Sequence, residues 1–418
     1  MPRKIKGVLA RVGPGIITGA SDDDPSGIGT YSETGARFGF NYLWLALFMT
    51  PLMIAIQEMC ARIGLVTGKG LAGVIKEYYH RWVLYGCVAL LVIANTINIG
   101  ADLGAMGAAA HLVFRNSWVF WTAFFAILTA FLEIYLPYKQ YVKILKWLTL
   151  SLFAYVAAAF SFHIYWDKVL WKTLVPTITG GSEAVLVVLA VFGTSISPYL
   201  FFWNASQEVE EEIGEGKKTL AQRKGATPKE IRTMRSDVTA GMIFSNVVTF
   251  FIILTTAVTL NANGITTIHT AQEAAEALQP FGSFAVILFA LGIIGTGLLA
   301  IPVLAGSAGY ALAETFRWRE GLHLPWKKAK LFYGVILFST LIGMLINLVG
   351  IDPMRMLLYT AVINGIIAVP LIYIIIRISD NPSIMGKHVT NTSGRALAWL
   401  TFGIMAALSI VLLWPAIA

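Results

Sequence analysis

Apolar stretches near the length that crosses a bilayer recur along the whole chain, with short polar connections between them. A membrane-spanning helix needs about 20 mainly apolar residues. The pattern predicts eleven such spans, at residues 13–39, 42–66, 82–113, 118–136, 141–163, 183–207, 238–260, 280–316, 329–349, 354–378 and 394–416. The chain is therefore predicted to be an all-α polytopic membrane protein with a single transmembrane domain over residues 1–418.

Composition agrees with this class. Hydrophobic residues make up 57% of the chain and charged residues only 13%, whereas soluble proteins carry about 25% charged residues. The net charge of +8 is explained by basic connections on one side of a membrane, so we expect no nucleic-acid partner. Cys60 and Cys87 both fall in apolar segments and are interpreted as packing residues, not as a disulfide.

Lysine and arginine fall unevenly between the two sets of connections. With a cytoplasmic N-terminus, 26 of the 31 basic residues lie inside, several of them in the long polar insert 208–237. We interpret that insert as a solvated loop with some helix. Cytoplasmic loops of membrane proteins carry this excess of positive charge. We therefore expect a cell-membrane protein whose C-terminus, after an odd number of spans, is extracellular.

Residues 21–27, with the sequence SDDDPSG, do not fit a continuous helix in the first span. Each carboxylate costs about 2.5–3.5 kcal/mol at the centre of a membrane helix on insertion scales. Pro25 also removes a backbone donor and Gly27 loosens the chain. The helix is predicted to break here, with free backbone groups beside three acids, and this combination predicts cation binding. The alternative is that the acids lie at a membrane surface and cap a helix.

A second interruption, at residues 193–199 with the sequence GTSISPY, lies in the sixth span. Alone it could be a simple proline kink. Five spans separate the two interruptions, and an odd number inverts the second half relative to the first. Interrupted helices at corresponding positions of two inverted halves indicate the midplane site of a transporter. We therefore predict two inverted five-helix repeats, at 13–163 and 183–378, with 394–416 as an extra helix.

The polar groups at the two breaks are hard oxygen ligands, and neither break contains Cys, His or Met. They are Asp24, Ser26, Ser195, Ser197 and the freed carbonyls. Oxygen ligands favour Mg²⁺, Ca²⁺ or Mn²⁺ over softer transition metals. Because Mg²⁺ gives up its waters reluctantly, carboxylates and hydroxyls in a roomy site suit a partly hydrated ion.

Further polar residues fall inside other spans. Asn95, Asn98 and Asp102 share one face of the third span because they are spaced i, i+3 and i+7. An aspartate within a membrane indicates function by default, although a structural polar contact is the alternative. Asn364 in the tenth span is a further candidate for the cavity.

Several of these residues resemble motifs of the NRAMP family of divalent-metal transporters. Residues 24–27, DPSG, are similar to the Asp-Pro-Gly-Asn hallmark of that family. Residues 30–39, TYSETGARFG, and 62–69, RIGLVTGK, resemble the rest of its first span and the end of its second. The resemblance covers nearly the whole chain. It implies a LeuT-type fold in which metal binds between the broken helices 1 and 6.

The chain also departs from the family pattern. The family's asparagine is replaced by Gly27, its metal-binding methionine aligns with Ile196 or Ser197, and its histidine aligns with Pro198 or Tyr199. Loss of the methionine is similar to the NRAMP-related magnesium transporter branch. That resemblance implies Mg²⁺ and Mn²⁺ transport, a wider site for a hydrated ion, and little or no proton coupling.

The resemblance also assigns roles to residues. Asp24 is the expected direct or water-mediated ligand, and Asp22 and Asp23 supply negative potential or bind the water shell of the ion. Ala105 stands where the family has a glutamate of its proton route. The predicted metal site comprises Ser21, Asp22, Asp23, Asp24, Gly27, Gly193, Ile196, Ser197 and Tyr199, with Asn98, Asp102 and Asn364 as possible cavity residues.

The predicted function is import of divalent metal ions, Mg²⁺ first and Mn²⁺ second, without proton coupling. We expect no enzymatic activity, no cofactor besides the transported ion, and a monomer in the lipid bilayer. The principal alternative is a proton-coupled Mn²⁺/Fe²⁺ symporter of the NRAMP type. A sodium-coupled amino-acid carrier of the same fold and a channel also remain open. An Asp-rich membrane prenyltransferase would need a second acidic motif facing the same cavity, and the one available, at 208–212, starts the polar insert.

Overall fold

The computed structural model describes residues 14–136 and 152–417, and in this part of the chain all regular secondary structure is helical. The α-helices are α1 Pro14–Asp22, α2 Pro25–Phe38, α3 Trp44–Thr67, α4 Leu71–Tyr78, α5 Arg81–Phe114, α6 Trp118–Tyr135, α7 Phe153–Phe160, α8 Trp166–Leu174, α9 Gly181–Ser195, α10 Pro198–Gly214, α11 Leu220–Arg223, α12 Pro228–Thr259, α13 Ala271–Ala275, α14 Ala285–Phe316, α15 Lys330–Ile346, α16 Pro353–Ser379, α17 Pro382–Met385 and α18 Thr392–Ile417.

Within the described ranges, nine helical segments are long and apolar enough to cross a membrane, with α9 and α10 counted as one segment. The halves α1 and α2 of the predicted first span are each too short to be counted this way. The predicted fifth span, 141–163, lies partly outside the described residues and is represented by α7. The all-helical membrane class is confirmed, whereas the count of eleven and the repeat boundaries stay predictions.

The polar insert between the sixth and seventh spans is more helical than predicted. Helix α10 continues to Gly214, seven residues beyond the predicted end, and α12 begins at Pro228 instead of residue 238. The early start has a local cause, because Thr227 and Glu230 form a reciprocal capping box and Pro228 occupies the first helical position,. These polar turns extend the two membrane helices.

Both predicted breaks are present. Between α1 and α2, Asp24 is extended at φ −68° and ψ 172° and accepts a hydrogen bond from the Gly27 amide as the N-cap of α2. Between α9 and α10, Ser197 is extended at φ −83° and ψ 141°. A proline opens the second half of each helix, at a position where its missing N–H removes no helical hydrogen bond,.

Small residues let the broken helices approach their neighbours at backbone distance. A Cβ atom on Gly19 of α1 would lie 2.2 Å from the Gly241 carbonyl oxygen in α12, and one on Gly193 of α9 would lie 2.0 Å from the Ala361 carbonyl oxygen in α16. Small residues at helix interfaces permit this approach in membranes. These contacts hold the first broken helix against α12 and the second against α16.

Candidate functional site

Asp24 is the centre of a buried hydrogen-bond network at the first break. Its Oδ1 accepts from the Gly27 amide at 2.7 Å and from Ser26 Oγ at 2.8 Å, and its Oδ2 accepts from Asn98 Nδ2 at 2.9 Å. Only 1% of the Asp24 surface is exposed. The break therefore directs this carboxylate toward helix α5, inside the protein. This placement agrees with a helix that breaks within the membrane and disagrees with acids that cap a helix at the membrane surface.

Helices α5 and α16 extend this network. Asn98 Nδ2 also donates to Asp102 Oδ2 at 3.2 Å, and Asn364 Nδ2 donates to Asn98 Oδ1 at 3.0 Å. Asn95, on the same face of α5, instead donates to the Leu304 carbonyl and Ser307 Oγ of α14. The structure thus brings together Asn98, Asp102 and Asn364 at the Asp24 cluster.

Side chains of the second break meet those of the first. Ser26 Oγ lies 3.3 Å from Thr194 Oγ1, and Tyr31 OH lies 2.7 Å from Ser195 Oγ. Thr194 is absent from the predicted set. The sequence could have indicated Thr194, because it lies between Gly193 and Ser195 in the interrupted stretch. A hydroxyl at such a position can face the other break.

The loose carbonyls of both breaks are satisfied by hydroxyl groups. Tyr199 OH donates to the Ser21 carbonyl at 3.0 Å, and Ser197 Oγ lies 2.7 Å from the Gly193 carbonyl and 2.6 Å from that of Thr194. A carbonyl oxygen has two lone pairs, so a carbonyl such as that of Gly193 can accept from Ser197 and still bind a further partner. Ser197 and Tyr199 therefore hold the predicted carbonyl ligands in place.

Gly27 and Ile196 contribute shape to the site. A Cβ atom on Gly27 would lie 3.2 Å from Tyr31 Cε2 and 3.3 Å from Thr194 Oγ1, so a side chain there would crowd both neighbours. Ile196 is fully buried between α9 and α10, and its amide donates to the Phe192 carbonyl at 2.8 Å. Its apolar side chain offers no ligand atom, although its backbone carbonyl oxygen can coordinate a metal ion.

Asp22 and Asp23 face a different helix from Asp24. Ser245 Oγ of α12 lies 2.5 Å from Asp22 Oδ2 and 3.2 Å from Asp23 Oδ1. Sequence reasoning missed Ser245, because a single serine in an apolar span carries no distinctive signal. The three consecutive acids are therefore divided between α5 and α12.

The site has a strong excess of negative groups. Asp22, Asp23 and Asp102 have no exposed surface, and no lysine or arginine of the described ranges forms an ion pair with them or with Asp24. One carboxylate oxygen on each of Asp22, Asp23 and Asp102 also has no hydrogen-bond partner there. Because an uncompensated buried carboxylate is costly, the arrangement favours a cation.

The acids do not converge as a ready-made metal cage. In the described part of the chain, no three Asp, Glu, His or Cys side chains form a cluster that could hold a metal ion. Any bound ion must therefore take ligands from hydroxyl, amide and carbonyl oxygens or keep part of its water shell. This fits the expectation of a mixed oxygen site around one principal carboxylate.

The family model described as natural resistance-associated macrophage protein-like, Nramp, matches residues 15–415. The chain belongs to the Nramp family. Its relatives include the divalent metal cation transporter MntH of Klebsiella pneumoniae subsp. pneumoniae, which is 26% identical over 420 residues, 97% of this chain and 94% of the relative. The same transporter from Klebsiella pneumoniae strain 342 matches with the same identity and coverage.

Solved structures agree with the Nramp assignment at the level of the fold. A manganese transporter of Eremococcus coleocola, bound to an aromatic bis-isothiourea substituted compound, has a TM-score of 0.76 and 18% identity, over 98% of this chain and 87% of that one. MhsT in complex with L-phenylalanine has a TM-score of 0.62 and 12% identity, over 97% and 98%. These neighbours confirm the predicted LeuT-type fold.

Nramp membership also decides the class of protein. Nramp proteins are multi-pass membrane transporters and not enzymes. The prenyltransferase alternative is thereby excluded. The geometry around Asp24 bears on which ion the site binds and which residues contact that ion.

Proposed function

We propose that this Nramp protein carries divalent metal ions through the site between the two breaks, with Mg²⁺ as its principal cargo and Mn²⁺ as a second. One observation carries the proposal: the polar side chains that contact Asp24 are those of Ser26 and Asn98, whose only possible metal ligands are a hydroxyl and an amide oxygen. These oxygens, with those of the Asp24 carboxylate, are the hard ligands that Mg²⁺ prefers.

The second break supports this preference for hard ions. Ile196 or Ser197 stands where the resemblance places a metal-binding methionine, and a soft thioether is the ligand that would favour transition metals. The hydroxyls of Ser26 and Thr194 lie next to each other beside Asp24. We propose that Asp24 binds the ion directly or through one water, while these hydroxyls and the free lone pair of the Gly193 carbonyl bind its remaining water shell.

Proton coupling is not needed for uptake of such an ion. Two charges that cross a membrane potential of 100 mV gain about 4.6 kcal/mol, which drives Mg²⁺ inward. Ala105, where the resemblance places a glutamate of the proton route, cannot carry a proton. We therefore propose a uniport mechanism in a monomer of the cell membrane, with a cytoplasmic N-terminus and an extracellular C-terminus as the distribution of basic residues indicates.

Uptake into proteoliposomes with a set membrane potential tests the proposal. We expect Mg²⁺ entry that needs no pH gradient and does not acidify the lumen. Asp24→Ala is expected to abolish it, whereas the matched exposed variant Asp167→Ala on α8 should transport like the wild type. Mn²⁺ entry that acidifies the lumen, with no Mg²⁺ entry, would instead support a proton-coupled Mn²⁺/Fe²⁺ symporter.

A further inference from the structure

We infer that the paired carboxylates Asp22 and Asp23 form, with Ser245 of α12, a second station for the transported divalent ion. This station is separate from Asp24. The inference rests on the proposed function, because it assumes that a divalent cation enters the cavity. It adds a helix, α12, that the predicted metal site does not include.

The geometry separates the two groups of acids. The hydrogen bonds of Asp24 run to its own turn and to Asn98 on α5. Those of Asp22 and Asp23 run to Ser245 on α12. Asp22 is the last residue of α1, whereas Asp24 is the extended residue between the two helices and caps α2. A cation beside Ser245 would therefore lie next to α12, whereas a cation beside Asn98 would lie next to α5.

Ser245 contacts more acceptors than it has hydrogens. Its hydroxyl carries one hydrogen, yet its oxygen lies 2.5 Å from Asp22 Oδ2 and 3.2 Å from Asp23 Oδ1. Only one of these contacts can be a hydrogen bond donated by Ser245. Without a cation, the other contact needs a proton on one of the two carboxyl groups. A positive ion among the three oxygens takes the place of that proton and is shared by all three.

Unsatisfied oxygen atoms surround the same place. Asp22 Oδ1 and Asp23 Oδ2 have no hydrogen-bond partner among the described residues, and both side chains are fully buried. Thr249, one helical turn beyond Ser245 on the same face of α12, is also fully buried. Thr249 lies beside the Tyr31 hydroxyl, which is close enough to Asp22 and Asp23 to interact with them electrostatically. A hydroxyl oxygen keeps acceptor capacity when it takes part in one hydrogen bond, so the Thr249 hydroxyl can add a ligand to the same ion.

The chemistry of these groups selects the kind of ion. Two carboxylates carry a formal charge of −2 and match a divalent cation, and every available ligand atom is oxygen, which favours a hard ion. Asp22, Asp23, Ser245 and Thr249 supply fewer than the six positions of octahedral Mg²⁺, so waters fill the rest. The station therefore takes a partly hydrated Mg²⁺ or Mn²⁺ ion, the cargo proposed for Asp24.

Counting bound Mn²⁺ by its electron paramagnetic resonance signal, in the purified full-length protein in nanodiscs, tests this inference. We expect two ions in the wild type and one in Asp24→Asn. We also expect one ion in the double variant Asp22→Asn with Asp23→Asn. Ser245→Ala should weaken one class of sites about tenfold and leave the other unchanged. Ser409→Ala, at a buried serine of α18 without a partner in the described part of the chain, is the matched control and should bind like the wild type.

The outcomes separate this inference from the proposed function. One ion that Asp24→Asn removes and the double variant keeps would overturn the second station while the proposed function stands. No bound ion in the wild type would contradict both. If the double variant does not fold, Ser245→Ala decides, and unchanged binding of every Mn²⁺ ion in that variant would overturn the station.

Discussion

The two helix breaks differ in what they bring to the centre of the molecule. The break between α1 and α2 carries three buried carboxylates, whereas that between α9 and α10 carries hydroxyls, a glycine and no charged side chain. Both begin their second half with proline. Both breaks release backbone groups from regular helical hydrogen bonding, and they differ in the charge of their side chains.

The second break holds the first in position. Tyr199 donates to the Ser21 carbonyl, Thr194 contacts Ser26, and Ser195 contacts Tyr31. Attraction for a cation and the geometry that presents it therefore come from different helices. Substitutions of the acids in the first break should therefore change affinity for the ion most strongly. Those of Gly193 and Tyr199 in the second break should mainly change stability and alignment.

The largest effect is expected at Asp24. Asp24→Asn keeps the size of the side chain and can still accept one hydrogen bond, but it removes the charge that attracts the ion. We expect near-complete loss of Mg²⁺ uptake into proteoliposomes, with a folded protein by size-exclusion chromatography. Uptake near the wild-type rate would show that Asp24 does not bind the cargo.

A smaller effect is expected at Asn98, which positions the carboxylate without carrying charge. Asn98→Ala removes the donor to Asp24 Oδ2 and the acceptor for Asn364. Loss of such a supporting partner costs about 10–100-fold in metal affinity, measurable as the Mg²⁺ concentration at half-maximal uptake. Asn95→Ala is the matched control, because Asn95 lies on the same helix face but donates to α14. Equal losses of affinity in both variants would refute a specific role for Asn98.

A third prediction concerns the close packing of α9 against α16 at Gly193. In Gly193→Ala the new Cβ atom would lie 2.0 Å from the Ala361 carbonyl oxygen, so α9 and α16 must separate. Such overpacking costs about 1–3 kcal/mol in the free energy of unfolding, which a thermal melt in detergent detects. Gly403→Ala on α18 has open space around its Cβ and should melt like the wild type. An unchanged melt for Gly193→Ala would mean that the two helices are not in backbone contact.

The smallest effect is expected at Tyr199. Tyr199→Phe removes only the hydroxyl that donates to the Ser21 carbonyl. A typical buried hydrogen bond contributes about 0.5–1.5 kcal/mol to stability, so we expect a modest fall in thermal stability and unchanged ion selectivity. Tyr359→Phe, at a half-exposed tyrosine of α16, is the control. A change of Mg²⁺/Mn²⁺ preference in Tyr199→Phe would place this hydroxyl on the ion instead.

The sequence was sufficient to locate both breaks, because a continuous membrane helix seldom tolerates proline and glycine together with consecutive acids or clustered hydroxyls. The spacing of Asn98 and Asp102 also predicted their shared face. It could not show that Asn95, on that same face, reaches α14. Ser245 was missed for a physical reason, since an isolated hydroxyl often donates to the preceding turn of its own helix and only tertiary packing identifies the exceptions.

The most direct test of proton-independent Mg²⁺ transport through the Asp24 site is Mg²⁺ uptake by the wild type in proteoliposomes. The membranes carry a membrane potential, and the pH is equal on both sides. We expect saturable Mg²⁺ entry, no change in luminal pH, and loss of entry in Asp24→Asn. Absence of Mg²⁺ entry under a membrane potential that does drive Mn²⁺ entry would contradict this expectation. Mg²⁺ entry that persists in Asp24→Asn would equally contradict the placement of the cargo at the first break.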